Sequence, residues 1–120
     1  MSLVMIRSVV RPERADQVLD ALMQNGFPAV TKFPVAGRGK QRGIKIGDVT
    51  YDELPKLMIM AVVSEKDKDL AVATILESAR TGERGNFGDG KIFVSSVDEM
   101  YTISSGDQET EVGGIEEDQS

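Results

Sequence analysis

Residues 54–63, LPKLMIMAVV, are apolar on both alternating faces of an extended chain: Leu57, Ile59, Ala61 and Val63 on one side, Met58, Met60 and Val62 on the other. An antiparallel strand with one face in water carries a polar residue at every second position. Between Leu57 and Val63 there is none. The segment therefore reads as a strand covered on both faces. A chain of 120 residues is one domain, whose own helices cover one face of its sheet. The simplest cover for the other is a second copy of the same chain.

The rest of the pattern places this strand. VMIRSVVR (4–11) alternates Val4, Ile6, Ser8 and Val10 against Met5, Arg7, Val9 and Arg11, which predicts a strand. Pro12 closes it and suits the first turn of a helix. Ala15, Val18, Leu19, Leu22 and Met23 form one helical stripe that ends at Asn25-Gly26. FPAVTKFPV (27–35) has strand composition, with prolines tolerated where a ladder donor can be missing. Ser64 and Asp67 have capping-box spacing, and Val72, Ile75, Leu76 and Ala79 predict the buried stripe of a second helix. KIFVSSV (91–97) and MYTIS (100–104) are the last strands. The order β-α-β-β-α-β plus a short extra strand predicts an α+β, ferredoxin-like split βαβ sheet with strands 1 and 3 central.

Net charge is −6, but residues 106–120 hold six acids and no base, which leaves residues 1–105 with 14 of each sign. The domain is thus read as 1–105, with an acidic, disordered tail at 106–120. There is no cysteine and no histidine. That removes disulfides, the usual zinc sites and the common nucleophile–base pairs, and weighs against an enzyme. No apolar run is long enough for a bilayer and no secretory leader opens the chain, so a cytoplasmic protein without membrane insertion is expected.

Two loops carry potential chemistry. GRGKQRGIK (37–45) interleaves Arg38, Lys40, Arg42 and Lys45 with three glycines, a composition suited to phosphate oxygens. GERGNFGDGK (82–91) nearly spells a P-loop from Gly85 to Lys91, but Ile92 stands where that motif needs a hydroxyl. A helix also leads into it and a strand leads out, the reverse of the P-loop context. Gly85, Gly88 and Gly90 can still offer backbone donors, with Lys91 as a point charge. The basic loop leaves strand 2 and the glycine loop enters strand 4, at opposite edges of one sheet. Edge-to-edge assembly would bring them together between subunits.

These residues resemble the PII nitrogen-regulatory signalling family over roughly residues 4–106. Its glycine-rich B-loop pattern is matched by Thr81-Gly82 and GDGKIFV (88–94). Its T-loop base is matched by Gly37, Gly39, Lys40, Gln41, Arg42 and Gly43, and its L-P-K closure by Leu54-Pro55-Lys56. The short T-loop (37–53) and the lengthened B-loop (81–91) are most similar to the first of the two sister proteins of the nitrogenase-associated subgroup. Those sisters act together on dinitrogenase, and the resemblance implies binding and inhibition of nitrogenase when fixed nitrogen is ample.

The resemblance implies a homotrimeric regulator, not an enzyme, with ATP or ADP (AMP being a further candidate) in each cleft between subunits. It puts Gly37, Arg38, Gly39, Lys40, Gln41, Gly88, Asp89, Gly90 and Lys91 around the nucleotide. Val62 would lie beside the base and Thr31 would reach across from the neighbouring subunit. Gln41 would help hold magnesium and 2-oxoglutarate, and Lys56 would pair with a carboxylate of that effector. Thr102 and Ser104 stand where the family carries two phosphate-gripping arginines, and Arg84 is a candidate replacement for one of them. The implied target is the dinitrogenase component of nitrogenase; an ammonium transporter or glutamine synthetase is the alternative. Outside the family, an RNA-recognition module lacks its stacking aromatics, so no nucleic acid is expected. A small phosphohydrolase using Arg84 and Asn86 shares only the fold.

Overall fold

In the computed structural model, which describes residues 2–38 and 53–110, the chain runs from strand β1 (Leu3–Val10) into helix α1 (Pro12–Gln24). Strands β2 (Thr31–Gly37) and β3 (Leu54–Ser64) follow, then helix α2 (Lys68–Ala79) and strand β4 (Gly90–Val97). The four strands form an antiparallel sheet in the order β2-β3-β1-β4. The two central strands are therefore β1 and β3, as the split βαβ pattern predicts. Pro34 sits in β2, an edge strand, where a missing amide donor breaks no second ladder.

Both helices pack against each other and on one face of the sheet. Val4, Ile6 and Val10 of β1 meet Ile59 and Val63 of β3, and Ala15, Val18 and Leu22 of α1 close over them together with Ala71, Ile75 and Ala79 of α2. Ile6, Val18, Leu22 and Ile59 are almost fully buried, so truncating any of them to alanine should cost about 2–5 kcal/mol, less for valine. The other face keeps Met58, Met60 and Val62 of β3 half-buried beside Met5 and Val9 of β1, with Phe33 and Phe93 exposed at its flanks. The doubly apolar strand is thus covered on one face by its own helices and only half-covered on the other, where Val30 and Met100 approach its Met60–Val62 end.

Three expectations need correction. The Ser64–Asp67 capping box does not form. A 3-10 turn (Glu65–Asp67) precedes α2, and neither Ser64 nor Asp67 makes a side-chain cap bond. The Glu65 amide donates instead to the Ser2 carbonyl at 3.0 Å. With the helix starting after that turn, its buried stripe is Ala71, Thr74, Ile75 and Ala79, while Leu76 is 46% exposed. Thr74 can be buried because its hydroxyl donates to the Leu70 carbonyl at 2.7 Å and accepts from the Asn25 amide group at 2.9 Å. Lastly, MYTIS does not run as one strand. Only Met100–Tyr101 (β5) is extended, and it pairs with Gln108–Glu109 (β6) rather than with the main sheet. Part of the segment read as tail therefore belongs to an ordered hairpin; residues 111–120 lie outside the described residues.

Candidate ligand-binding site

The register collects the loops. Val10 faces Leu57 on one side and Gly90 on the other, and Gly37 faces Leu54. The glycine loop 80–89 and both ends of segment 38–53 consequently leave the sheet at the same end. Gly90 has φ +114°, and a Cβ there would lie 1.7 Å from the Val9 carbonyl oxygen. Only glycine lets the loop enter β4 this close to β1.

Asp89 organises the loop from inside. Its carboxylate accepts from the Arg11 Nε at 2.9 Å, the Thr81 hydroxyl at 2.6 Å, the Thr81 amide at 3.0 Å and the Asn86 amide at 2.9 Å. Desolvation is the largest single influence on this carboxyl and pushes its pKa up. The hydrogen bonds from Thr81, Asn86 and Arg11 together outweigh it and hold the group well below the usual carboxylate range. Asn86 adds a second tie, donating to the Thr81 carbonyl and hydroxyl at 3.1 and 2.9 Å.

Two cations hold the next turn. Arg11 donates through its second nitrogen to the Phe87 carbonyl at 2.8 Å, and Lys56 donates to the Gly88 carbonyl at 2.5 Å. Lys56 is only 8% exposed and its Cγ lies 3.8 Å from where a Cβ on Gly37 would be. It therefore bridges the base of the basic loop and the glycine loop within one chain. Burial lowers its pKa, and the neighbouring Arg11 charge lowers it further, against the opposite pull of Glu13 and Asp89. In a trans peptide the N–H points opposite to the preceding C=O, and the described residues contain no cis bond. With the Phe87 carbonyl turned onto Arg11, the Gly88 N–H points away from it.

The far end of the same sheet face is different in kind. Thr31 and Val62 line a hollow of about 340 Å³ with Met5, Met60 and Met100. Val62 is six residues along β3 from Lys56, about 20 Å at ~3.3 Å per residue. A groove of about 540 Å³ also runs along the helix side of β4, walled by Val72, Leu76, Ile92 and Val94, and reaches Asp89, Gly90 and Lys91.

Of the sequence-predicted residues, Gly37, Lys56, Gly88, Asp89, Gly90 and Lys91 thus gather at one end of the sheet. Arg38 follows β2 directly, and Arg84 is exposed on the glycine loop. Thr31 and Val62 lie at the opposite end. Gly39, Lys40 and Gln41 fall outside the described residues. Thr102 is committed to its own hairpin. Its hydroxyl donates to the Glu109 carboxylate, its amide to the Asp107 carbonyl at 2.9 Å, and its carbonyl accepts from the Gly106 amide at 2.8 Å. Sequence reasoning missed Arg11, because its partners Phe87 and Asp89 are 76 and 78 residues away. The one local signal was a cation between the end of a strand and a helix-opening proline.

Among the described residues no group of three or more carboxylate, histidine or cysteine side chains gathers as a metal site. No helix there is long and apolar enough to cross a membrane.

Comparison with known proteins gives a consistent answer. The family model described as "Nitrogen regulatory protein P-II" matches residues 3–107. The "Nitrogen fixation nifHD region glnB-like protein 1" of Methanococcus maripaludis is 54% identical over 99 residues, covering 82% of this chain and 91% of that protein. "Nitrogen regulatory protein P-II 2" of Methanothermobacter thermautotrophicus is 42% identical over 106 residues, covering 85% and 90%. Among solved structures, Arabidopsis thaliana PII bound to citrate superposes with a TM-score of 0.74 at 30% identity, covering 91% of this chain and 90% of that one.

Proposed function

This chain belongs to the nitrogen regulatory protein P-II family, and from that premise we propose that it senses adenine nucleotide and 2-oxoglutarate and passes the result to the dinitrogenase component of nitrogenase. It acts by binding, without turnover of its own, in the cytoplasm and as a homotrimer. The half-buried apolar face of Met5, Met58, Met60 and Val62 supports the trimer, since a sheet face of this composition needs a partner. The nitrogen-fixation names of the relatives support the target. A sister protein of the same family is the natural co-regulator.

The observation that carries the nucleotide reading is the glycine loop. Its carbonyls at Phe87 and Gly88 are turned onto Arg11 and Lys56, so the Gly88 N–H points away from Arg11 on a loop that ends in the exposed cation Lys91. Backbone donors and a cation on one loop fit phosphate oxygens. Gly90, Arg38 and the neighbouring Gly39, Lys40 and Gln41 would complete the phosphate end. Val62, with Thr31 supplied by the adjacent copy, would take the base. Magnesium would be held by phosphate oxygens with Gln41 as its protein ligand, in keeping with the lack of a carboxylate cluster among the described residues. The citrate of the Arabidopsis structure is itself a carboxylate anion, the chemistry expected of 2-oxoglutarate at Lys56. Because both ligands would share the cation and the loop ends, binding of one would strengthen the other and re-set segment 38–53.

The position of Thr102 argues against phosphate gripping there, since it meets Glu109 and Asp107 instead. Arg84 would supply the missing charge. Calorimetric titration of the protein with MgATP, with and without 2-oxoglutarate, tests the whole reading. Binding that tightens with 2-oxoglutarate supports it; heat-silent titrations with ATP, ADP and AMP alike overturn it.

A further inference from the structure

Asp89, Arg11 and Lys56 all spend hydrogen bonds on the glycine loop. Asp89 accepts four times, from Arg11, from Thr81 twice and from Asn86. Arg11 forks, with Nε on the Asp89 carboxylate and a terminal nitrogen on the Phe87 carbonyl. Lys56 closes the following peptide by its Gly88 carbonyl, and the Asp89 amide on that peptide's other side is itself taken by the Asn86 carbonyl at 3.1 Å. Three consecutive residues are thereby oriented from within, and the Gly88 N–H is left pointing away from Arg11.

We propose that Arg11, at the junction of β1 and α1, is the positioning residue for the phosphate-binding loop, and that Asp89 is its internal anchor rather than a ligand contact. The proposal rests on the nucleotide reading above and changes the part played by Asp89 in it. Physically, a carboxylate surrounded by four donors has no oxygen to offer a magnesium ion, and bare it would repel phosphate. Paired to Arg11 it contributes no net charge, and the guanidinium's planar fork fixes two points of the loop at once. Lysine's donors share one nitrogen on a flexible stem and lack that fixed geometry. The pair also anchors the loop to the start of α1, so the Gly88 amide is held by the rigid sheet–helix corner and not by the loop alone.

The test uses the full-length protein and two readouts. In Arg11→Met, sheet amides such as Ile6 and Val63 should keep their hydrogen-exchange protection, while the Thr81 and Asn86 amides exchange at least tenfold faster. MgADP affinity by calorimetry should fall about tenfold or more. Arg11→Lys should recover less than half of that loss. Adding Asp89→Asn to Arg11→Met should weaken MgADP by less than a further twofold, because the two act through one loop conformation. Losses that multiply would mean that Asp89 touches the ligand and would overturn the proposal. So would exchange and affinity unchanged within twofold in Arg11→Met. If Arg11→Met does not fold, Thr81→Val, which removes one donor to Asp89 and leaves Arg11 in place, should shift both readouts in the same direction. If the wild-type protein binds no nucleotide, the nucleotide reading fails by itself, and the exchange of Thr81 and Asn86 alone then decides whether Arg11 positions the loop.

Discussion

At one end of the sheet, polar groups hold one another: Asp89, Arg11, Thr81, Asn86 and Lys56 form a closed network over the Gly37 and Gly90 strand ends. At the other, Thr31 and Val62 open onto methionine, and among the described lining residues Thr31 alone has a polar side chain. Both ends belong to the same face of the same strand, because Lys56, Met58, Met60 and Val62 all point to one side of β3 by strand alternation. A single extended segment thus carries two kinds of surface: a polar end preset by its own hydrogen bonds, and a soft, adaptable end lined by methionine.

The comparison can be broken most drastically at Gly90. Alanine there would meet the Val9 carbonyl at 1.7 Å with φ at +114°, forcing β4 off β1. A loss of about 3 kcal/mol or more is expected in urea unfolding at fixed protein concentration. An unchanged midpoint would show that the loop can enter the sheet another way. Acidification probes the polar end next. The folded pKa of Asp89 is depressed, so its stabilisation is fully present above the unfolded value of about 3.9 and is lost as pH falls from there toward the folded value. The wild type should therefore lose more stability than Asp89→Asn between roughly pH 4 and pH 2, and parallel pH profiles would contradict the network.

Ligand probes then separate the two ends. Lys91→Ala should weaken MgADP and magnesium tripolyphosphate alike, by about tenfold if one charge-assisted contact is lost. Val62→Ala should weaken MgADP roughly fivefold, through about 1 kcal/mol of apolar contact, and leave tripolyphosphate untouched. Equal loss of both ligands in Val62→Ala would remove the division of labour. The smallest effect belongs to the β5–β6 hairpin. Thr102→Val deletes the bond to Glu109 and should fray the hairpin by about 1 kcal/mol in amide exchange, with no change in global stability.

Much of this was legible in the sequence, for reasons that differ by region. β3 announced itself because an unbroken apolar run has few alternatives, and α1 because Ala15, Val18 and Leu22 keep strict helical spacing. α2 was read one residue off along part of its stripe. Its face includes Thr74, whose hydroxyl satisfies itself on the Leu70 carbonyl and is as buried as an apolar side chain, and periodicity of apolar residues alone cannot count it. The glycine loop was found by composition, since its glycines are conspicuous, but not its internal wiring. That Lys56 and Arg11 would both face carbonyls of residues 87 and 88 follows only once the antiparallel register brings Val10, Leu57 and Gly90 side by side.

The sheet order has one more consequence. β1 is made before the other three strands of this sheet, yet its two neighbours are β3 and β4, with Leu3 opposite both Ser64 and Val97. It cannot close either ladder until the far half of the chain exists, a topology that slows folding. A nascent chain stopped before β4 would carry β1 with one edge open, beside a sheet face rich in methionine and valine. Such an edge is a template for pairing with another chain. The first-made strand is the last to be completed.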